Sequence, residues 1–194
     1  MIKIHPFFIV TGVLVFLSGQ IALFSIYFVA LFVHELGHII LAKCLHVELK
    51  RCTIYPFGGQ ISFQQEWQIE YWKKALIACG GPLASGLCLV FAQFLPPLVG
   101  VAFYKINFYL LILNLIPILP LDGGRIALHW YLHITRDIDA YAYYLSLSIS
   151  ILLIFGVYFL LLIPKSTIIC FVTFFLLLSI FPSCHRFSAG VFVV

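Results

Sequence analysis

The stretch Val33-His34-Glu35-Leu36-Gly37-His38 decides how the rest of the chain is interpreted. It lies inside an apolar run, residues 21–42, that is long enough for a helix to cross a bilayer. On a helix, His34 and His38 are one turn apart and project from the same face, so their imidazoles can share one zinc ion. Glu35 is then placed to act as a general base on a water molecule activated by the metal. The stretch therefore predicts zinc-dependent hydrolysis at membrane depth.

The composition is that of an integral membrane protein. Of the 194 residues, 63% are hydrophobic and only 9% are charged, and the mean hydropathy is +1.13. Soluble domains carry about 25% charged residues. The net charge of +4 does not indicate a nucleic-acid partner, because the basic residues are scattered through short loops. Ionisable residues within a membrane span are costly and usually functional, which favours a functional role for the three in the motif over a polar cluster that joins helices.

The predicted fold is all-α, with six transmembrane helices in a single membrane-embedded domain, residues 1–194. The predicted spans are residues 7–17, 21–42, 72–95, 101–116, 141–163 and 168–181. After the second span, two short extended pieces, 53–57 and 60–63, flank a Gly58-Gly59 turn and predict a β-like hairpin. The fourth span is broken by Pro117, Pro120 and the following glycines.

The distribution of basic residues predicts the orientation of the chain. With six spans, both termini lie on one side, and that side carries nine of the eleven lysines and arginines. Lys105 and Lys165 lie on the other side. The positive-inside rule therefore places both termini in the cytoplasm, for a multi-pass protein of a bacterial cell membrane.

A catalytic zinc ion usually has three protein ligands, and the helix supplies only two. Among the seven acidic residues, Asp122 is the only acid besides Glu35 at a span boundary, and it has the same predicted depth as His38. Irregular backbone at membrane depth is tolerated where it is buried or lines a wet cavity. We therefore predict Asp122 as the third ligand; the alternative interpretation is an N-cap for the segment that follows it.

Three further features are weaker candidates. Asn114 is a candidate donor to the substrate or to the oxyanion, and a helix-to-helix hydrogen bond is equally compatible with it. Phe57, Gly58 and Gly59 offer backbone with which an extended substrate could pair as an added strand, although a simple interfacial loop fits as well. His129 and His133 repeat the i, i+4 spacing, but no glutamate follows His129, and we predict no second metal site there.

The chain resembles the site-2 protease family of intramembrane zinc metalloproteases, and two motifs carry the resemblance. One motif is His34-Glu35-Leu36-Gly37-His38, and the other is the stretch from Asn114 to Gly124, which is similar to the family's N-x-x-P and L-D-G signature. Within the family it is most similar to the sporulation branch, through His5-Pro6-Phe7, Pro56-Phe57-Gly58-Gly59 and Gly81-Pro82-Leu83.

The resemblance implies His34, His38 and Asp122 as ligands of one zinc ion per chain, with Glu35 as the catalytic acid/base. It implies a membrane-associated protein substrate, which in the sporulation branch is a sigma-factor precursor, and regulation by membrane inhibitor proteins. That branch usually continues into a C-terminal nucleotide-sensing (CBS) domain, and we expect none in these 194 residues. The alternative function is a non-catalytic zinc-binding membrane protein or a metal transporter, whose metal-binding residues would be spread over several spans.

Overall fold

The structure, a computed structural model, describes residues 2–4, 6–17, 19–55, 58–65, 68–137 and 139–162. The predicted sixth span, residues 168–181, lies outside these residues. The described chain is mostly helical. Its helices are α1 (Pro6–Leu17), α2 (Ile21–Cys44), α3 (Tyr71–Phe91), α4 (Pro97–Asn114), α5 (Asp122–Thr135) and α6 (Asp139–Leu162).

The helix ends follow from local chemistry. Gly19 has a φ of 72°, a conformation that favours glycine, and it separates α1 from α2. Helix α4 starts with Pro97, four residues earlier than predicted, because proline at the first helical position loses no hydrogen bond. It ends at Asn114, and α5 begins at Asp122. The predicted break of the fourth span is therefore confirmed.

Three helical segments in the described part of the chain are long and apolar enough to cross a membrane. They are Ile21–Cys44, Tyr71–Phe94, which adds a short 3₁₀ turn to α3, and Pro97–Asn114. They correspond to the predicted second, third and fourth spans. A shorter apolar segment, Tyr141–Phe155, lies in α6, and α1 has only 12 residues. The total of six spans stays a prediction.

The hairpin after α2 is confirmed, but its turn is not where the glycines are. Strands β2 (Leu49–Tyr55) and β3 (Gly58–Phe63) are antiparallel, and Gly58 and Gly59 pair with Tyr55 and Ile54. The prediction that these glycines form the turn is therefore wrong. This register places both glycines in the ladder, opposite the last two residues of β2.

The hairpin is also part of a larger sheet than predicted. A third strand, β1 (Ile2–Ile4), pairs parallel to β2, so the order is β1-β2-β3. Strand β3 is consequently an edge strand of this sheet. The N-terminal strand escaped prediction because three residues carry too little periodicity to be recognised.

The chain divides into two compact units, each described here by itself. The first unit contains Met1–Ile69 and Leu76–Leu115, and the second contains Glu70–Ala75 and Ile116–Val194. The first unit has two apolar clusters of buried residues, which are Ala30, Cys88, Ala92 and Phe103 in one and Ala42, Val47 and Ile77 in the other. The second unit is built on Leu119, Leu128, Leu132, Leu145 and Leu152, where α5 and α6 meet the loop before Asp122.

Candidate metal centre

The two histidines of α2 form a buried pair in the first unit. His34 is 2% exposed and His38 is 7% exposed, and Glu35 beside them is buried as well. Their ring centroids are 5.1 Å apart, and a ligand nitrogen of one lies within 4.8 Å of a ligand nitrogen of the other. The i, i+4 spacing of the sequence thus produces the expected pair of imidazoles on one face of the helix.

The Nδ1 atom of each ring is engaged by helix α3. His34 Nδ1 lies 2.9 Å from the hydroxyl oxygen of Ser85, and His38 Nδ1 lies 2.8 Å from the carbonyl oxygen of Ile77. A carbonyl oxygen only accepts, so His38 Nδ1 carries the proton and donates it there. With its proton on Nδ1, this atom cannot accept, so the Gly81 N–H at 3.2 Å is a close contact and not a hydrogen bond. A protonated Nδ1 leaves the lone pair of the ring on Nε2, the tautomer that ligates metal.

Gly81 of α3 marks the point toward which both Nε2 atoms are directed. A Cβ atom added at this position would overlap the Nε2 atoms of His34 and His38. The site therefore has a cradle that only glycine leaves open, with two oriented imidazole nitrogens around it. This donor chemistry fits zinc, which accepts neutral imidazole nitrogen as a ligand.

Close packing of α2 on α3 makes these contacts possible. A Cβ atom at Gly80 would lie 2.5 Å from the carbonyl oxygen of Gly37 and 2.8 Å from the amide nitrogen of His38. A Cβ atom at Gly37 would lie 2.7 Å from the Cβ of Ala84. Small residues allow two membrane helices to approach backbone to backbone. The glycines thus bring Ser85 and the Ile77 carbonyl within hydrogen-bonding distance of the histidine rings.

Asp122 belongs to the second unit, where it is the first residue of α5 and is buried. Leu121 is the N-cap residue, and it makes no side-chain cap hydrogen bond. The alternative interpretation of Asp122 as an N-cap is therefore wrong, because it already has helical geometry. A carboxylate in the first turn still interacts favourably with the helix dipole.

The loop that leads to Asp122 is held by α6. The N–H of Leu119 donates to the hydroxyl of Ser148 at 3.2 Å, and the Tyr144 hydroxyl donates to the carbonyl of Pro117 at 2.7 Å. Gly124 also closes the loop, since a Cβ there would lie 2.6 Å from the carbonyl oxygen of Ile118. These contacts fix the backbone immediately before the carboxylate.

The two weaker candidates are placed as follows. Asn114 is the last residue of α4, and its side-chain amide donates to the carbonyl of Leu110 in the same helix, at 3.0 Å. Gly58 and Gly59 begin the edge strand β3, and Phe57 lies outside the described residues. The roles of these four residues in substrate binding stay predictions.

The residues that support the two histidines were not predicted from the sequence. Ser85 and the Ile77 carbonyl are 51 and 39 residues from the rings that they contact. The available signal was the four-residue spacing between Gly81 and Ser85, which puts a small residue and a hydroxyl on one face of the third span.

Comparison with known proteins identifies the family. The model of peptidase family M50 matches residues 21–101 and 94–157, which include the pair on α2, the glycines of α3 and Asp122. The chain belongs to peptidase family M50. The resemblance to site-2 proteases is thereby confirmed.

Individual relatives agree with this assignment. The site-2 protease from Methanocaldococcus jannaschii superposes with a TM-score of 0.72 at 26% identity, covering 91% of this chain and 87% of that one. Stage IV sporulation protein FB of Bacillus subtilis is 28% identical over 192 residues, 95% of this chain. A putative zinc metalloprotease of Synechocystis is 37% identical over 108 residues, 51% of this chain. The chain spans 66% and 28% of the lengths of these last two relatives.

Proposed function

We propose that this chain is an intramembrane zinc metalloendopeptidase that hydrolyses a peptide bond of a membrane-associated protein. The observation that carries the proposal is the oriented histidine pair of α2. Both Nδ1 atoms are anchored by α3 and both Nε2 atoms are directed toward Gly81, in a helix long enough to cross a bilayer. Membership of family M50 and the zinc metalloproteases among the relatives support it.

The proposed zinc ligands are His34, His38 and Asp122, which bind one ion per chain. Two imidazoles and one carboxylate, all buried, are a donor set that could hold a metal ion. Three protein ligands with a fourth position left to solvent are typical of catalytic zinc. When bound, zinc would polarise the scissile carbonyl and lower the pKa of water, which supplies the nucleophile near neutral pH.

Glu35 is the proposed acid/base. It follows His34 directly, so its carboxylate belongs to the same helical turn as the first ligand. Glu35 accepts the proton of the attacking water and then delivers it to the leaving amine, so one carboxylate serves both halves of the reaction. Its burial keeps bulk water from competing for that proton.

The substrate is proposed to bind as an extended segment. A peptide bond within a helix must leave its helical hydrogen bonds before it can be attacked, and an edge strand offers replacements for them. Strand β3, which begins with Gly58 and Gly59, is such an edge. Asn114 is proposed to donate to the substrate or the oxyanion, by releasing its bond to Leu110. A sigma-factor precursor as substrate and a membrane protein as inhibitor are proposed from the resemblance to the sporulation branch. The sporulation protein among the relatives is consistent with a membrane-associated protein substrate.

In its finer features, the proposed enzyme is a single membrane-embedded domain with six spans. Both termini are cytoplasmic, because this orientation places nine of the eleven basic residues inside. The metal would then lie near the cytoplasmic ends of the helices, about 7 Å from the end of the second span at ~1.5 Å per residue.

The first test substitutes the acid/base and leaves the proposed ligands intact. We expect Glu35→Gln to abolish cleavage of a membrane-tethered reporter while one zinc per chain is retained. Glu48→Gln, at an exposed acid just beyond α2, is the matched control and should cleave normally. Full cleavage by Glu35→Gln would contradict the mechanism. Zinc-dependent ion flux into vesicles without hydrolysis would instead favour a transporter.

A further inference from the structure

Lys105 is an exposed cation in the middle of α4, a helix that is long and apolar enough to cross a membrane. Eight residues of α4 precede it and nine follow it, which is about 12 Å and 14 Å of helix at ~1.5 Å per residue. A lysine in a membrane span is costly, and only those near a helix end easily reach the headgroups. Lys105 makes no ion pair or hydrogen bond with any residue that the structure describes.

The surface around this lysine is a continuous exposed face of α4, which we call the Lys105 face. Its members are Val101, Tyr104, Lys105, Phe108, Tyr109 and Ile112, all of them exposed. The rings of Tyr104 and Phe108 are stacked, with centroids 6.3 Å apart and planes at 8°. Positions 101, 105, 108 and 112 are spaced by four, three and four residues. This spacing is typical of the seam along which a second helix packs.

The opposite face of α4 is already occupied within the first unit. Phe103 packs with Ala30 of α2 in a buried apolar cluster, and Asn107 is completely buried. The two histidines of the metal centre also belong to α2. A helix on the Lys105 face would therefore have α4 between itself and α2. Such a helix fits the role of a bound partner and not that of the segment presented for cleavage.

The acidic residues of this chain are in the wrong places to pair with Lys105. They are Glu35, Glu48, Glu66, Glu70, Asp122, Asp137 and Asp139. Glu35 and Asp122 belong to the proposed metal centre, and the other five lie at helix ends or in polar segments between helices. Residues 71–121 and 140–194 contain no acid. A second copy of the chain therefore brings no side-chain carboxylate to the middle of α4, and neither do the residues after α6.

We propose that the Lys105 face binds a transmembrane helix of another membrane protein, one that carries an aspartate or a glutamate near its midpoint. The carboxylate would accept a charge-assisted hydrogen bond from the Lys105 ammonium group and offset its charge within the bilayer. Tyr104 and Phe108 would provide aromatic packing area, and the one charged position in the seam would fix the register of the two helices. The inference does not depend on the proposed hydrolysis, because its test measures binding.

The experiment measures resonance energy transfer between the labelled full chain and labelled synthetic transmembrane peptides in phosphatidylcholine vesicles. The peptides share a leucine-alanine sequence of about 20 residues and differ only at the central position, which is glutamate, glutamine or leucine. We expect the glutamate peptide to bind about tenfold more tightly than the other two. This comparison uses the unmodified protein. A glutamate peptide that binds no more tightly than the glutamine or the leucine peptide would overturn the proposal.

Two matched pairs of variants locate the binding surface. Lys105→Leu should abolish the preference for the glutamate peptide, whereas Lys43→Leu, at an exposed lysine in the last turn of α2, should keep it. Phe108→Ala should weaken binding of the glutamate peptide. Phe32→Ala is its control, since Phe32 of α2 is 41% exposed against 42% for Phe108, and it should bind normally. An equal loss in a variant and in its control would contradict the assignment to the Lys105 face.

A charge exchange and a test for self-association complete the experiment. Lys105→Glu should prefer a peptide with lysine at its centre, because the two charges have changed places. A Lys105→Glu protein that still prefers the glutamate peptide would show that charge complementarity is not the basis of binding. Two differently labelled copies of the chain, without peptide, should show only the energy transfer of random proximity. Stronger transfer that is lost in Phe108→Ala would assign the Lys105 face to a second copy and overturn the proposal.

Discussion

At the residue scale, the orientation of two rings determines whether α2 can bind metal. Nδ1 of His34 contacts a side-chain hydroxyl, whereas Nδ1 of His38 donates to a main-chain carbonyl. The second contact cannot be removed by substituting the side chain of Ile77. Partners of this kind fix the tautomer and the direction of the ligand nitrogen, and their loss typically costs 10- to 100-fold in metal affinity.

Substitution of Gly81 tests whether the space beside the Nε2 atoms of His34 and His38 holds the metal. Gly81→Ala should abolish zinc binding, because the new methyl group would overlap the Nε2 atoms of both histidines. Gly86→Ala on the same helix is the matched control, since a Cβ atom there meets nothing within 4 Å. Zinc per chain is measured by elemental analysis, alongside circular dichroism to verify folding. A folded Gly81→Ala protein with one zinc per chain would show that the ion lies elsewhere.

At the element scale, α6 supports the loop that precedes Asp122. The Ser148 hydroxyl accepts from Leu119 and donates to the Tyr144 carbonyl, so it connects α6 with the loop. The Tyr144 hydroxyl provides a second connection at Pro117. Helix α6 therefore holds the backbone of the loop that leads to Asp122, the first residue of α5.

Substitution of Ser148 should measure this support. Ser148→Ala leaves the buried Leu119 N–H without its acceptor, and we expect the free energy of unfolding to fall by about 1–3 kcal/mol. Ser150→Ala, on the same helix, removes an exposed hydroxyl that donates only to the Ser146 carbonyl, and it should change stability by less than about 0.5 kcal/mol. Denaturant titration in mild detergent compares the two. Equal losses of unfolding free energy in the two variants would mean that the hydrogen bond between Leu119 and Ser148 does not stabilise the protein.

At the scale of the whole molecule, His129 should make stability depend on pH. Burial, together with the charges of Lys74 and Arg125, lowers its pKa to about 3 in the folded protein. An ordinary histidine has a pKa of 6.5, so below pH 6.5 the unfolded chain binds a proton that the folded chain does not. Stability is then complete above pH 6.5 and falls steadily as the pH drops toward 3.

The measurement is the free energy of unfolding between pH 7 and pH 4, in neutral detergent without phosphate. His129→Phe should make the dependence in this range less steep, because the contribution of the lowered His129 pKa is removed. His133→Phe, which removes an exposed histidine, should leave the slope as it is. A slope that is unchanged in His129→Phe would contradict the lowered pKa.

Whether a feature of this protein can be predicted from the sequence depends on how far apart along the chain the interacting residues lie. The histidine pair, the three long apolar helices and the break before Asp122 follow from short-range spacing and from the cost of polar groups in a bilayer. The contact between His34 and Ser85 depends on tertiary packing between α2 and α3, which a single amino-acid sequence does not reveal. The turn was misplaced because glycines are common in turns, yet here strand register puts Gly58 and Gly59 in the ladder.

X-ray absorption spectroscopy at the zinc edge, on the zinc-loaded protein, tests the central claim most directly. We expect two imidazole nitrogens and carboxylate or water oxygens at about 2.0–2.1 Å, with no sulfur in the shell. Asp122→Ala should retain both imidazoles and lose the carboxylate contribution. A sulfur ligand, a single imidazole, or an Asp122→Ala spectrum identical to that of the unmodified protein would contradict a zinc ion held by His34, His38 and Asp122.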